Sequence, residues 1–359
     1  MSWLDRHTVD LKHAVRVAMA ATTSYALAAA FHLPQGFWAV ITAVVVVQTS
    51  IGGTLAVSRD RLLGTSVGAL VGALAAWLRP QTPWGEAAAL ALSVGVTGLA
   101  ASLWPSLRIA PVTTVIMIVG SAVGSAGFAV TAGLRVAEIA LGSVIGVLIA
   151  LFVFPARASD AVSANVQIAL DQLSRLLILY AQRLDGADDE VAIAPLHAQL
   201  RSRLGTIETQ VAEASREHAA RLSATRVADA IPRTLWRLRN DAVMIGRATA
   251  HRWAGPAAER LGPPAAALLR AQAEQIGAIR SAIATGAPTP RPALEERFAA
   301  FREAFQQLEA ETSPAALGTG ALGFEHLEQI FGLAFALEAF NTNTADLAER
   351  IAEFADSRS

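Results

Sequence analysis

From Ala14 to Phe154 long apolar runs alternate with short polar breaks; beyond Pro155 apolar residues recur at helical spacing among many charges. A helix needs roughly 20 apolar residues to cross a bilayer core. On that measure six spans are predicted, at 14–31, 37–51, 62–78, 87–104, 111–130 and 135–154. The organising stretch is Gly36 to Pro80, where the apolar runs Phe37–Ile51 and Leu62–Leu78 flank a polar hinge from Gly52 to Arg61. Gly64, Gly68 and Gly72 repeat every four residues, which puts them on one helix face open to close backbone approach. Gln48-Thr49-Ser50 with Gly52-Gly53-Thr54 reads in two ways. It is either a helix broken around a cavity, the one place a membrane tolerates free backbone groups, or a plain exit turn into a Ser58–Arg61 loop.

The second half of this pattern copies the first. A 74-residue offset separates Arg61 from Arg135, Gly68 from Gly142 and Gly72 from Gly146, and the two copies end at Pro80 and Pro155. Three spans per copy is an odd number, so the second copy lies inverted in the membrane, a recurring plan for transporters. The glycines, including Gly142 and Gly146, are then packing positions. Arg61 falls at the inner end of the third span, Arg135 at the outer end of the sixth, and Arg108 in a short inner turn between Pro105 and Pro111. These are either topology anchors or positive mouths that draw in anions. Glu138 lies three residues after Arg135, where a same-face ion pair is the simpler reading and proton coupling the other. The candidate pathway residues are therefore Arg61, Arg135, Arg108, Gln48, Thr49, Ser50, Thr54 and Glu138.

After Pro155, Val162, Val166, Leu170, Leu173, Leu177 and Tyr180 keep helical spacing, and further helices are predicted at 189–220, 221–253, 265–285, 293–312 and 323–355. Gly and Pro mark the breaks, and Pro232 is a candidate kink. No run alternates as a strand does. The fold class is thus an all-α membrane protein: six transmembrane helices as two inverted three-helix repeats over residues 1–156, then a cytoplasmic α-helical bundle over 157–359.

Charge sets the orientation. Only 16% of the chain is charged, against about 25% in soluble domains, and the first half carries few of those charges. With the N-terminus cytoplasmic, Arg6, Lys12, Arg16, Arg59, Arg61, Arg108 and Arg157 fall inside, and only Arg79 and Arg135 outside. The positive-inside rule then puts both termini in the cytoplasm, and Trp38, Trp77, Trp84 and Trp104 sit near span ends as an aromatic belt. The first run exceeds the core of a secretory signal, and reads as a span.

Several chemistries drop out. A net charge of −1 argues against nucleic acid as a partner. There is no cysteine, and Lys12 is the one lysine, so no P-loop exists. His197, His218, His251 and His326 are unpaired in sequence, and the arginines Arg226, Arg233, Arg237 and Arg247 near Trp236 read as a solvated face, with a cytoplasmic anion-collecting or regulatory surface the second reading. No enzyme, metal or cofactor is expected.

Gly36-Phe37-Trp38-Ala39-Val40-Ile41-Thr42, Gln48-Thr49-Ser50 with Gly52-Gly53-Thr54, and Arg61-Leu62-Leu63-Gly64-Thr65 followed by Gly68 resemble the fusaric acid resistance-like (FUSC) family of aromatic acid exporters. The segment from Arg135 to Pro155 resembles the family's closing span, and plant aluminium-activated malate channels are distantly similar. The resemblance implies an inner-membrane exporter of organic or aromatic carboxylates. Many such exporters carry two six-span blocks in one chain, so a single block implies a homodimer. No feature of the sequence identifies a periplasmic adaptor. A passive anion channel and a membrane-anchored helical scaffold are the alternatives.

Overall fold

The computed structural model describes residues 8–79, 82–120, 127–187, 190–225, 227–250, 255–285, 292–311 and 324–356. Among them are thirteen α-helices and no strand. The chain folds as two compact units, Met1–Ala158 and Ser159–Ser359.

The first unit contains α1 (Thr8–Ala30), α2 (Phe37–Val46), α3 (Ile51–Leu78), α4 (Pro83–Leu103), a 3-10 turn (Pro105–Leu107), α5 (Ala110–Gly120) and α6 (Phe128–Phe152). Three of these, α3, α4 and α6, are long and apolar enough to cross a membrane. The 23-residue α1 has the length, but Asp10, Lys12, His13 and Arg16 open it. The apolar α2 and α5 have 10 and 11 residues, and at 1.5 Å per residue reach about 15–17 Å, half a bilayer core.

The predicted hinge is a helix, and the break falls earlier. Residues 52–61 lie inside α3, while the chain leaves helix at Val47 to Ser50. Local hydrogen bonding decides this. Ser50 caps α3 by accepting the Gly53 N–H at 2.9 Å, and the Thr54 hydroxyl donates to the Ser50 carbonyl at 2.8 Å and accepts the Gln48 N–H at 3.0 Å. With the N–H groups of that first turn taken up, the glycine pair need not unwind it. The Ile51 N–H reaches the Ala156 carbonyl at 3.2 Å, tying the break to the chain that leaves α6. The sixth helix also begins seven residues earlier than predicted, at Phe128, so Arg135 lies two turns inside α6 and Arg61 well inside α3. Part of the predicted fifth span, 121–126, falls outside the described residues.

Packing repeats with the sequence. A Cβ at Gly68 would strike the Ala110 carbonyl and come within 2.7 Å of Thr113; one at Gly142 would strike the Ala39 carbonyl and come within 2.8 Å of Thr42. Gly72 meets Met117 and Thr114, and Gly146 meets Val46 and Ala43. Each partner on α5 lies 71 residues after its counterpart on α2. Gly64 adds a contact to Ile109. Contacts ascend together along α3 with α5 and along α6 with α2, so each pair runs parallel. The bonds Gln48–Thr54 and Arg61–Thr42 make α2 and α3 an antiparallel hairpin, so α6 runs opposite to α3.

Helix α4 carries its apolar side chains outward: Leu92 is 72% exposed and Leu99 64%, while Ser93 and Thr97 are buried. Those hydroxyls donate to their own helix, Ser93 to the Ala89 carbonyl and Thr97 to Ser93. An apolar exterior over a polar interior is stable only where the surroundings are themselves apolar.

In the second unit α7 (Ala158–Leu184), α8 (Glu190–Ala219), α9 (Ala230–Ala248), α10 (Gly255–Arg260), α11 (Gly262–Thr285), α12 (Pro292–Glu311) and α13 (Phe324–Asp356) pack as helices on helices. The predicted stripe Val162, Val166, Leu170, Leu173, Leu177 and Tyr180 is buried along α7. The predicted helix 221–253 is shorter, because Arg221 takes a positive φ of 56° and the chain re-enters helix only at Ala230. Pro232 then sits in the first turn of α9, where its missing N–H has no intrahelical partner to lose, and no kink is needed. Side-chain bonds join α9 to α13, Thr234 to Asp346 at 2.8 Å and Asn343 to Asp241 at 2.7 Å. Arg233 and Arg237 face outward, and Trp236 donates to Glu208 at 2.8 Å; Arg226 and His251 lie outside the described residues. Tyr180 and His197 join α7 to α8 at 2.6 Å, with Tyr180 filling the space left by Gly246. Burial, and then Arg239, push the His197 pKa below its ordinary value.

Three outcomes follow. Gly142→Ala is expected to lower the stability of the detergent-solubilised chain by about 1–3 kcal/mol through overpacking. Gly95→Ala, in α4 with nothing within 4 Å of the new Cβ, should leave the thermal midpoint unchanged or raise it. For His197, the unfolded chain binds the proton more tightly than the folded one, so stability falls as pH drops below about 6.5 and levels off only beneath the depressed folded value. Thermal midpoints measured from pH 7.5 to 5.5 should show that fall, and His197→Gln should flatten it.

Candidate functional site: charged groups around a short helix

The ten-residue helix Phe37–Val46, with Gln35 just before it, meets three charged side chains of the long helices. Arg61 comes from α3 and donates from Nε to the Thr42 hydroxyl at 3.1 Å. Arg135 comes from α6 and lays its guanidinium over the Trp38 ring, 4.3 Å from the centroid. Glu138, one turn further along α6, stands 4.0 Å from Arg135 Nη1 and accepts the Gln35 N–H, just before α2, at 3.0 Å. Arg135 and Glu138 are both buried. A same-face pair with an aromatic lid and a backbone donor is how a charge survives inside an apolar bundle.

This geometry changes the reading of the two arginines. Thr42 and Trp38 are four residues apart on one helix, about 6 Å along its axis. A hydrocarbon core about 30 Å thick does not fit between groups anchored that closely. Arg61 and Arg135 are therefore not rings at opposite mouths; both act from one side of α2. They also differ in balance. Arg135 has the Glu138 carboxylate beside it, whereas Arg61, half-buried, has the neutral Thr42 hydroxyl.

The remaining predicted residues separate from this pair. Gln48, Ser50 and Thr54 build the α2–α3 break, Gln48 by donating from Nε2 to the Val45 carbonyl at 2.8 Å. Thr49 is exposed, and its carbonyl accepts a bond from Arg16 Nη2 at 3.2 Å. Arg108 is exposed on the turn after the 3-10 segment, its N–H bonded to the Pro105 carbonyl at 3.3 Å.

Sequence reasoning did not single out Arg16, Trp38, Thr42 or Gln35 as site residues. For Arg16 a signal was present: Arg16, Ala20, Ser24 and Ala28 recur every four residues, and all four are buried. An arginine at the head of a small-residue stripe marks a packed face, so its charge turns inward. Trp38 and Thr42 carried no such signal, because their roles depend on which helix packs against them.

Two cavities flank these helices. A groove of about 420 Å³ between α3 and α4 is lined by Leu74, Leu78, Leu92 and Val96, with Arg79 in its wall. Another, of about 480 Å³, lies between α1 and α2 beside Tyr25, His32, Phe37 and Ile41. Neither is lined by Arg61 or Arg135.

No curated protein matches this chain. The fusaric acid resistance protein family, FUSC, matches over residues 10–358, both units included, so the chain is a membrane protein that belongs to this family.

Proposed function

We propose that this protein is an inner-membrane exporter of organic carboxylate anions, and that Arg61 carries the charge the solute meets. The observation behind this is a pair of arginines anchored on one short helix, of which, among the described residues, only Arg135 has an acid beside it. A guanidinium at mid-membrane costs about 2.5–3.5 kcal/mol on insertion scales. Glu138 and Trp38 offset that cost at Arg135, and a passing carboxylate offsets it at Arg61.

In this reading residues 1–156 cross the bilayer as six segments in two inverted halves. The matched glycine contacts support it, as does the opposed direction of α3 and α6. The half-length helices α2 and α5 occupy equivalent places, as broken helices do around the sites of transporters built from inverted repeats. Both termini lie in the cytoplasm, where residues 157–359 form the helical bundle. Two copies assemble, the single-block counterpart of relatives with two blocks. An inside-negative potential favours anion exit by about 2.3 kcal/mol per charge per 100 mV, so outward movement of a carboxylate is downhill once a path exists.

Carboxylate flux from proteoliposomes under an imposed potential is the test. Arg61→Ala should lower benzoate flux at least about tenfold, the loss of one charge-assisted contact, with little effect on folding. Arg135→Ala should instead destabilise the protein by about 3–5 kcal/mol, because Glu138 is left buried without its cation, and Arg135→Ala with Glu138→Gln should recover part of that. Unchanged flux in Arg61→Ala would sink the assignment. Flux that never saturates identifies a passive channel, and wild-type protein that moves no carboxylate reduces the membrane unit to an anchor for the helical bundle.

A further inference from the structure

Arg16 is 2% exposed. Its Nη2 donates to the Thr49 carbonyl at 3.2 Å, while Nε and Nη1 are buried and have no partner. One helical turn earlier, Nδ1 of the half-buried His13 is also buried without a partner. Residues three apart lie on one face of α1, so unused polar atoms collect on one side of the break between α2 and α3. Among the described residues no carboxylate pairs with Arg16. Guanidinium is charged at any physiological pH, so the charge stays where it is buried.

The second half of the unit shows what is missing. There Arg79 does the same work at the end of α5, donating from Nη1 to the Ile118 carbonyl at 3.2 Å. Ile118 matches Val47, two residues before Thr49, by the 71-residue offset that relates α5 to α2. Arg79 also has an acid: Glu86 lies 3.2 Å from the same nitrogen. Each short helix thus ends on an arginine, but among the described residues only the second arginine has a carboxylate beside it. The surrounding field adds to the imbalance. Helix α3 starts at Ile51 with its positive end toward the break, and the N–H groups of Ile51, Gly53 and Thr54 are already bonded to Ala156, Ser50 and Ser50. They contribute potential rather than donors. Lys12 stands nearby over the Phe154 ring, 5.9 Å from its centroid.

We propose that Arg16, with His13, is a binding site for the carboxylate of the solute, which takes the place that Glu86 fills beside Arg79. The inference rests on the transport reading only for the class of ligand. It adds a second carboxylate contact, at the α2–α3 break, distinct from Arg61 on the Thr42 face of α2.

The test is ligand-induced stabilisation of the purified full chain in neutral detergent, with sodium benzoate as probe and sodium chloride at equal ionic strength as control. Each variant is read against its own midpoint, so a change in basal stability does not enter. Benzoate should raise the wild-type midpoint saturably. Arg16→Met should weaken that response at least about tenfold, Arg16→Lys and His13→Gln should weaken it less, and Gly95→Ala, remote from both arginines, should retain it. An equal response in wild type and Arg16→Met overturns the proposal, as does the absence of any benzoate response in wild type. The same oxyanion chemistry is offered by a lipid phosphate. Stabilisation that needs nanodiscs containing phosphatidylglycerol, with none from benzoate, assigns Arg16 to a lipid and overturns the solute assignment. Flux without Arg16-dependent binding leaves the transport reading standing and removes this one; binding without flux does the reverse.

Discussion

A hydrocarbon surrounding offers no hydrogen bonds, so each polar atom in the first unit has to find its partner in the chain or keep a desolvated dipole. Most of the local structure follows from that constraint. Ser93, Thr97, Thr113 and Thr114 return their hydroxyls to carbonyls of their own helices. Thr114 also bonds the Gly68 carbonyl across the α3–α5 contact. The interruption between α2 and α3 exists because Ser50, Gln48 and Thr54 satisfy its backbone. Arg79 and Arg16 answer the carbonyls at the ends of the two short helices. What the constraint leaves over is charge, and there the two halves part company.

Close helix approach is the second organising fact, and it comes from what glycine lacks. At Gly68 and Gly142 the facing carbonyls of Ala110 and Ala39 occupy the space a side chain would need. Dispersion and backbone proximity replace the hydrophobic effect as the source of helix association in lipid. The glycines therefore fix where α5 lies on α3 and α2 on α6. Because both contacts were copied with the sequence, both short helices are held in equivalent places. That equivalence brings Trp38 and Thr42 to α6, and makes α2 the common support for Arg61 and Arg135.

Much of this was legible in the sequence, and the exceptions have a physical pattern. The apolar runs, the glycine ladder and the 74-residue offset gave the helices and their contact faces, because periodicity and small-residue spacing are local properties. The Arg135–Glu138 pair was legible for the same reason, being three residues apart on one helix. The break was misplaced by several residues, since Gly52-Gly53 is a stronger local signal than Ser50. The cap that decides the matter depends on three side chains acting together. The arginine placement was not legible at all. Arg61 reaches Thr42, and Arg135 reaches Trp38, only after α2 has docked, and a long side chain travels far enough to make span position a poor guide to where its charge sits. In the second unit the α7 stripe was read directly, whereas the loop before α9 turns on the backbone of Arg221, which is no glycine.

The repeat was duplicated in its packing and not in its charges. A strictly symmetric unit would balance each buried arginine alike, leaving either two equal sites or none. Here Glu138 stands beside Arg135 and Glu86 beside Arg79, while Arg61 and Arg16 face a hydroxyl and a carbonyl. On the reading proposed above, an anion would find uncompensated charge at Arg16 and Arg61 and internally neutralised charge at Arg135 and Arg79. Charge left without a counter-charge can hold an anion, while charge neutralised within the chain cannot trap one.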